Sequence, residues 1–350
     1  MRVLSLLILA LAGSLPASET APTPAYPLWD GHESVADYAM RSGLPPTRTL
    51  DLGGGVKMEL VLIPAGKFIM GTPEYEKSVV GQTMVGISGS VLFAVMLLLL
   101  VRARMKRRRL QFSMAFMLLM TFVASVGVWG GVRWNEALKH SDDFPNEHPA
   151  HTITLTQPFF MGKYVVIQEQ YQAVTGTNPN HFIGKDNPVD TVSWDEAQAF
   201  CKKLTEQTKQ TVRFPTEAEW EFACRAGTRT VYHSGDKEAD LSRAAWYDAN
   251  SKNTTHKVGQ KEANGFGLYD MHGNVFQYCQ DWYGEDYYGK SEAENPQGPA
   301  QGAARVVRGG SWGSDPRFCR SAGRINSAPV LRFAFRGFRV VVAAPSSRTH

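Results

Sequence analysis

The sequence predicts an α+β, loop-rich domain of short helices and strands, with a two-helix transmembrane hairpin inserted into it. Two capping boxes, Ser193 with Glu196 and Thr216 with Glu219, mark the starts of short helices. Glycine accounts for 32 of the 350 residues, and no long periodic segment follows Gly227, which favours loops over a helix bundle. Two long uncharged stretches in the first half of the chain indicate the hairpin.

The basic charge of the chain is concentrated in one short segment. Residues 102–109, RARMKRRR, carry six positive charges, and subtracting these six from the formal net charge of +4 leaves −2 for the rest. Nucleic-acid binding proteins present a basic surface, which a slightly acidic remainder does not offer. The composition therefore argues against a nucleic-acid partner.

The N-terminal segment reads as an export signal. Arg2 is followed by an apolar run and then by small residues, so residues 1–18 are predicted to be a secretory signal peptide. An N-terminal anchor that is never cut is the alternative. Residues 19–50, rich in proline, alanine, serine and threonine, are predicted to be a linker.

Residues 78–101 and 110–132 are predicted to be membrane-spanning helices joined by the basic loop 102–109. They hold 24 and 23 residues without a charge, enough at about 1.5 Å per residue to cross a hydrocarbon core of about 30 Å. The positive-inside rule places the loop in the cytoplasm and both flanks outside. Because the hairpin returns the chain to the side it left, residues 51–77 and 133–342 can form one extracytoplasmic domain, followed by a tail (343–350).

Local patterns predict the elements of this domain in order. Residues 58–70 read as a strand, a turn and a second strand, residues 151–155 as a strand and residues 159–164 as a further strand. A short helix over residues 168–174 is expected to end at Gly176. The helix after Ser193 carries a stripe of apolar residues at helical spacing, and that after Thr216 carries Trp220 and is expected to end at Gly227.

Six stretches, in this order, resemble the formylglycine-generating enzyme family, also called the sulfatase-modifying factor domain. They read PVDTVSWDEAQAFCKKL, RFPTEAEWEFACRAGT, GFGLYDMHGNVFQYCQDWYG, RVVRGGSW, CRSAGR and RGFR. The resemblance covers roughly residues 58–342 with the hairpin removed. It implies a variant of the C-type lectin fold, with many loops stabilised by aromatic residues and bound calcium.

The resemblance also implies where an active site would lie. The enzyme that names the family oxidises a sulfatase cysteine to formylglycine with copper(I), held by two cysteines, and molecular oxygen. Those cysteines follow a Gly-Gly-Ser-aromatic motif, here ending in Ser311 and Trp312, and the matching positions are Ser314 and Cys319. A serine hydroxyl is a poor copper(I) ligand. We therefore expect the copper chemistry to be absent.

The four cysteines and one loop complete the residues that the resemblance singles out. Cys224 and Cys319 match a disulfide pair of the family, whereas Cys201 and Cys279 either pair or are buried as small apolar residues. One calcium site of the family matches Asp270, Gly273, Val275 and Gln277, in which a glutamine stands where glutamate is usual, and Asn250 with Ser251 matches the start of another calcium site. Hydrogen bonding in an ordinary turn is the alternative for Asp270 and Gln277.

Several other polar residues are expected to be structural. His148 and His151 fall on opposite faces of an extended segment, which disfavours a metal pair. His272 is expected to be a loop histidine packed on aromatic rings. Five arginines near the C-terminus are expected to form buried ion pairs with glutamates of the helix after Thr216, although an anion-binding pocket is the alternative: Arg308, Arg320, Arg324, Arg336 and Arg339.

The function expected from these observations is binding rather than oxidation. The chain is predicted to be anchored in a membrane, the inner membrane of a bacterium, with its domain in the periplasm or outside the cell. There it would bind a peptide, glycan or protein through a lectin-like surface. Two alternatives stay open: a copper-dependent oxidase acting on an exported sulfatase, and a structural role in which small residues of the first span pack against another helix.

Overall fold

The computed structural model of this chain describes residues 26–72 and 144–345. The predicted signal peptide, the predicted hairpin and most of the predicted tail lie outside these residues. Within them the longest helix has 15 residues. No helix of these two ranges is both long and apolar enough to cross a membrane.

The described helices are short, and the predicted capping boxes are confirmed. The helices are α1 (Val35–Ser42), α2 (Gln168–Thr175), α3 (Trp194–Thr208), α4 (Glu217–Arg225) and α5 (Glu238–Ala244). At the start of α4 the Thr216 hydroxyl accepts the Glu219 N–H at 3.1 Å, and the Glu219 carboxylate accepts the Thr216 N–H at 2.8 Å. Ser193 and Glu196 form the same pair of bonds at α3. Ala226, rather than the expected Gly227, is the first left-handed residue after α4.

The strands are short and form two main sheets. In chain order they are β1 (Thr47–Asp51), β2 (Lys57–Ile63), β3 (Gly66–Met70), β4 (His151–Leu155), β5 (Phe159–Gly162), β6 (Val212–Arg213), β7 (Ala245–Trp246), β8 (His272–Gly273), β9 (Phe276–Trp282), β10 (Arg305–Arg308), β11 (Arg324–Ser327), β12 (Arg336–Phe338) and β13 (Val341–Ala343). One sheet has the order β1-β2-β5-β13-β6 and the other β11-β10-β9-β12. The predicted strands β2 and β3 are both present but join different sheets, because β3 pairs with β4.

Two large apolar clusters and a smaller third form the core of the described residues. In the first, Phe200 of α3 and Phe338 of β12 meet edge to face at 5.2 Å, and α2 adds Tyr171, stacked on Phe200 at 5.6 Å. The second surrounds α4, where Trp220 and Phe222 are at most 1% exposed. Edge-to-face rings contribute beyond the area they bury. The aromatic residues therefore hold a fold that has little regular structure.

The predicted linker is wrong over its described part. Ser34 caps helix α1 by accepting the Asp37 N–H at 3.1 Å, and Gly43 ends the helix in the left-handed conformation. Tyr38 of this helix is fully buried, and Leu50 of β1 is only 2% exposed. The composition of residues 19–50 suggested a linker, but apolar residues at helical and strand spacing tie residues 26–50 into the core.

The two ends of the segment 73–143 meet at one point of the domain, which we call the neck (Gly71, Thr72 and Glu147). The Thr72 N–H donates to the Glu147 carbonyl at 3.2 Å, and the Thr72 hydroxyl donates to the Glu147 carboxylate at 2.5 Å. Glu147 is fully buried, and Arg320 binds both of its carboxylate oxygens at 2.6 and 2.5 Å. Residues on the two sides of the segment 73–143 therefore bind each other directly.

Candidate functional site

Helix α4 supports the glycine turn that carries the predicted site residues. Its Trp220 lies under Gly309, where an added Cβ would come within 3.0 Å of the indole. Gly309 and Gly310 have φ of +95° and +76°, which side chains rarely adopt. An added Cβ on Gly310 would lie 2.4 Å from Cys319 Sγ. Glycine is therefore needed for the turn to close on Cys319.

The turn brings together two of the predicted positions, Ser311 and Ser314. The Ser314 hydroxyl accepts the Ser311 N–H at 2.9 Å and lies 2.9 Å from the Ser311 hydroxyl. Cys319 is fully buried, and burial raises the pKa of its thiol well above the ordinary value. Ser314, which matches the first copper ligand of the family, is thus a hydrogen-bonded serine. Cys319, which matches the second ligand, is a protonated thiol.

The expected disulfide between Cys224 and Cys319 is not formed, and all four cysteines of the chain are free and buried. The imidazole of His272 lies between the two residues. Its Nε2 is 3.8 Å from Cys224 Sγ, and its Nδ1 is 2.6 Å from the Cys319 carbonyl. The spacing in sequence matched the family's pair, but in the structure the ring contacts Cys224 Sγ on one side and the Cys319 backbone on the other. Cys201 and Cys279 are likewise buried and unbridged.

His272 is held as a neutral ring, with its tautomer set by its partners. Burial lowers its pKa well below the ordinary value, and the neighbouring His233 adds to the effect. Because the Cys319 carbonyl can only accept, Nδ1 carries the proton, and Nε2 accepts the His233 N–H at 3.1 Å. His233 stacks on it at 4.8 Å, and Tyr232 meets it edge to face. The expected packing of His272 on aromatic rings is confirmed, but the residue lies in the short strand β8 and not in a loop.

The four residues of the first implied calcium site lie together, three of them in the segment after Tyr269 and Gln277 in β9. Asn250, from the other implied site, lies in a separate turn. Asp270 is 3% exposed, and its carboxylate accepts the Gly259 N–H at 2.8 Å and the Asn274 side-chain amide at 3.2 Å. Burial raises the pKa of Asp270, and these hydrogen bonds partly offset the rise. Gly273 adopts a φ of +69°. The carboxylate that the resemblance makes a metal ligand is thus already hydrogen-bonded.

Gln277 and Asn250 are also occupied by hydrogen bonds. The Gln277 side-chain oxygen accepts from Trp220 Nε1 at 2.9 Å and from Arg339 Nε at 3.1 Å. Asn250 closes its own turn, since its Oδ1 accepts the Tyr247 N–H at 2.9 Å and its Nδ2 donates to the Ala245 carbonyl. Val275 is fully buried beside them. The hydrogen bonds of Asp270 and Gln277 do not fit a pair of oxygen ligands directed at one calcium ion.

Nowhere in residues 26–72 and 144–345 do three His, Cys, Asp or Glu side chains form a group that could hold a metal ion. His148 Nδ1 and His151 Nε2 are buried without a hydrogen-bond partner. The expectation that these two histidines do not form a metal pair is untested.

The C-terminal arginines form the expected ion pairs only in part. Glu221 is fully buried and binds Arg308 and, at 2.8 Å, Arg225. Glu217 binds Arg324 at 2.7 Å. Buried charges persist when they are paired and hydrogen-bonded, so these groups hold α4 against β10 and β11.

The other three arginines have different partners. Arg320 pairs with Glu147 of the neck, which the sequence did not indicate because 173 residues separate them. Arg336 donates to the Ser327 hydroxyl and lies over the ring of Phe333 at 4.3 Å. Arg339 is fully buried and donates to backbone carbonyls and to Gln277, and burial lowers its pKa to about 10.

An aromatic face, not indicated by the sequence, lies beside the glycine turn. We define it as residues Phe182, Ile183, Trp312, Val330, Leu331, Phe333 and Phe335. The rings of Phe182 and Trp312 meet edge to face at 5.3 Å, and the Trp312 indole donates to the Ala334 carbonyl at 3.0 Å. Phe333 stacks on Phe335 at 5.0 Å. The members come from three distant segments, so no local pattern in the sequence could reveal the face.

The three aliphatic residues of this face are exposed, whereas its rings are half-buried. Ile183 is 74% exposed, Val330 71% and Leu331 44%. They lie close in sequence to the packed rings of Phe182 and Phe333, and an exposed apolar patch typically marks a place where a partner binds.

A cleft of about 570 Å³ opens on another side of the domain. It lies between α1, β1, β2 and Phe266. Lys163 and Glu59, paired at 2.9 Å, stand at this cleft. Tyr164 and Tyr269 lie beside Lys163, with ring centroids 5.2 Å apart.

Known proteins are similar to this chain in sequence and in fold. Residues 121–344 match the sulfatase-modifying factor enzyme 1-like domain. The chain is 41% identical over 155 residues to the serine/threonine-protein kinase pkn1 of Chlamydia pneumoniae, covering 44% of this chain and 23% of that protein. It is 34% identical over 181 residues to the formylglycine-generating enzyme of Streptomyces coelicolor, covering 47% of this chain and 54% of the enzyme.

A solved structure extends the match to most of the chain. Treponema denticola variable protein 1 superposes with a TM-score of 0.63 at 26% identity, covering 86% of this chain and all of that chain. The chain spans about a quarter of the kinase and about half of the enzyme, so it shares one domain with each. Because the matched domain covers more than half of its residues, the chain belongs to the sulfatase-modifying factor enzyme 1-like family.

Proposed function

We propose that this chain is a membrane-anchored, extracytoplasmic member of the family that binds a ligand and does not oxidise cysteine. The observation that carries the proposal is the pairing of Ser314 with Ser311 at the glycine turn. Linear copper(I) sites need two soft thiolate ligands, and a hydroxyl engaged with another hydroxyl supplies neither softness nor charge. Cys319 is the single thiol of this loop.

The aromatic face is the surface that we propose for ligand binding. It lies directly beside the glycine turn through Trp312, and it exposes apolar side chains next to half-buried rings. Aromatic residues and arginine are the groups that most often anchor a partner. The ligand would be a peptide, glycan or protein outside the cytoplasm.

Membrane anchoring rests on residues 78–132, which lie outside the described residues. Their length and lack of charge support two spans. The neck supports an insertion, since the Thr72 N–H reaches the Glu147 carbonyl at 3.2 Å, so that the residues flanking the segment 73–143 lie side by side. We propose the inner membrane of a bacterium, with the domain in the periplasm or outside the cell.

The rival function is the oxidase of the family, which the name of the Streptomyces coelicolor relative supports. The test is a competition titration of the full-length reduced chain, in detergent, against a chromophoric copper(I) chelator. We expect no stoichiometric copper(I) binding and no conversion of a cysteine-containing sulfatase peptide under oxygen. Tight binding that Cys319→Ser abolishes and Cys201→Ser preserves would overturn the proposal.

A second experiment tests the aromatic face. The full-length chain is screened against a displayed peptide library and a glycan array, and Leu331→Asp is compared with Met40→Asp. Met40 is the matched control because it is 79% exposed but lies on α1, away from the face. We expect binding that Leu331→Asp removes and Met40→Asp keeps. Equal binding by both variants would contradict the assignment of the face.

A further inference from the structure

The orientation of the Gln277 side chain is fixed by its partners. Its oxygen receives hydrogen bonds from Trp220 Nε1 at 2.9 Å and from Arg339 Nε at 3.1 Å. An indole and a guanidinium can only donate, so the amide oxygen must face them. The amide NH₂ group therefore points the other way, where it donates to the Asp270 carbonyl at 2.7 Å. Gln277 is fully buried, so water does not compete for these bonds.

This orientation removes the ligand that a glutamate would offer. A carboxylate at position 277 can turn one oxygen to Trp220 and Arg339 and keep the second for a metal ion. The glutamine keeps the first oxygen but presents N–H groups in place of the second. The positive end of the amide dipole then faces Asp270, where a divalent cation would need an oxygen.

A fixed positive charge already holds the same loop. The Arg339 guanidinium is fully buried and donates to the carbonyls of Gly162 and Tyr269, and to that of Asp270 at 3.5 Å. The Asp270 carboxylate is engaged by Gly259 N–H at 2.8 Å. A cation, backbone carbonyls and a carboxylate are thus brought together without a metal ion.

We infer that the loop between Asp270 and Gln277 is held by the Gln277 amide and the Arg339 guanidinium in place of calcium, so that this loop does not depend on calcium. Both interactions that replace the ion lie at the loop itself. The amide NH₂ bonds the Asp270 carbonyl directly, and the guanidinium supplies the positive charge. The inference concerns how the loop is held and stands whether or not the domain binds a ligand at the aromatic face.

The test compares thermal unfolding of the full-length chain, in detergent, with excess EDTA and with millimolar calcium. For the natural sequence we expect the same Tm in both conditions. We also expect no terbium luminescence sensitised by tryptophan, although Trp220 lies beside the loop. A Tm that rises with calcium, or sensitised terbium emission that calcium displaces, would overturn the inference.

The variant Gln277→Glu tests the amide itself. Its second oxygen faces the Asp270 carbonyl, so two acceptors meet, and we expect a lower Tm than the natural sequence in EDTA. Calcium should restore several degrees of Tm and terbium should bind. Gln280→Glu is the matched control, since it adds the same charge at a half-buried position of β9 and should not respond to calcium.

Two further results would count against the inference. A Gln277→Glu chain that folds but ignores calcium would show that the amide orientation is not what excludes the ion. A calcium response shared by Gln280→Glu would show a site elsewhere. If Gln277→Glu fails to fold, the EDTA and terbium measurements on the natural sequence still decide the question.

Discussion

Replacing Glu221 by glutamine tests whether the buried ion pairs hold α4 in place. Glu221 is fully buried and binds Arg308, Arg225 at 2.8 Å and the Gly71 N–H at 2.9 Å. Breaking a buried pair costs about 3–5 kcal/mol. Glu217 remains 3.7 Å from Arg308 and the glutamine keeps one acceptor. We therefore expect the free energy of unfolding to fall by about 3 kcal/mol at pH 7. In a domain of this size, that lowers Tm by roughly 6–12 °C.

The matched control is Glu262→Gln. Glu262 pairs with Arg243 at 2.8 Å, but their side chains are 54% and 50% exposed. Exposed pairs contribute less than about 1 kcal/mol, so we expect a shift of at most a few degrees. The assay is the thermal unfolding of the full-length chain, followed by tryptophan fluorescence in detergent. Equal shifts for the two variants would refute the importance of the buried pairs.

The pH dependence gives an independent check on Glu221. Burial raises the pKa of Glu221, but the charges of Arg225 and Arg308 outweigh it and hold the pKa below its usual 4.5. A carboxyl with a lowered folded pKa contributes stability above its unfolded pKa and loses it as the pH falls through the folded value. The Tm gap between the natural chain and Glu221→Gln should therefore narrow below pH 4.5. A gap that stays constant from pH 7 to pH 3 would contradict this reasoning.

Three further outcomes are expected. All four cysteines should resist a thiol reagent in the native, unreduced chain, and all four should react after unfolding. One disulfide would leave only two thiols able to react. Gly310→Ala should cost about 2–4 kcal/mol, because its φ is positive and its Cβ would meet Cys319 Sγ, while Gly313→Ala, with open space around it, should cost under about 1 kcal/mol in the same unfolding assay. Burial, with Glu217 nearby, raises the pKa of Asp281 to about 8, so stability should fall as the pH rises from about 4 to 8, and Asp281→Asn should flatten that slope in denaturant titrations.

Local signals in the sequence predicted the elements that depend on neighbouring residues. The capping boxes at Ser193 and Thr216 need only residues three positions apart, so both were predicted correctly. The buried stripe on α3 follows from helical spacing. Helix α1 was missed because its surroundings are rich in turn-forming residues, although Ser34 and Gly43 carry the signals of a capped helix.

Contacts between distant residues could not be predicted in the same way. The pairing of Arg320 with Glu147 depends on where two loops meet in space. The disulfide between Cys224 and Cys319 was predicted wrongly because the sequence does not show that His272 lies between them. The aromatic face joins Phe182, Trp312 and the loop after Ala328 only after folding. Motif spacing thus predicted the fold but not the chemistry of its surfaces.

The neck determines how a mechanical force on the segment 73–143 reaches the domain. Thr72 and Glu147 bind each other where the two chain segments enter the core. A force applied equally to both segments therefore leaves the rest of the fold unloaded. A pull on one side alone must first shear these hydrogen bonds. The tension then passes through Glu147 to Arg320, the residue next to Cys319. The neck is thereby coupled to the glycine turn through the guanidinium of Arg320, next to Cys319, and through Glu221 and Arg308, next to Gly309.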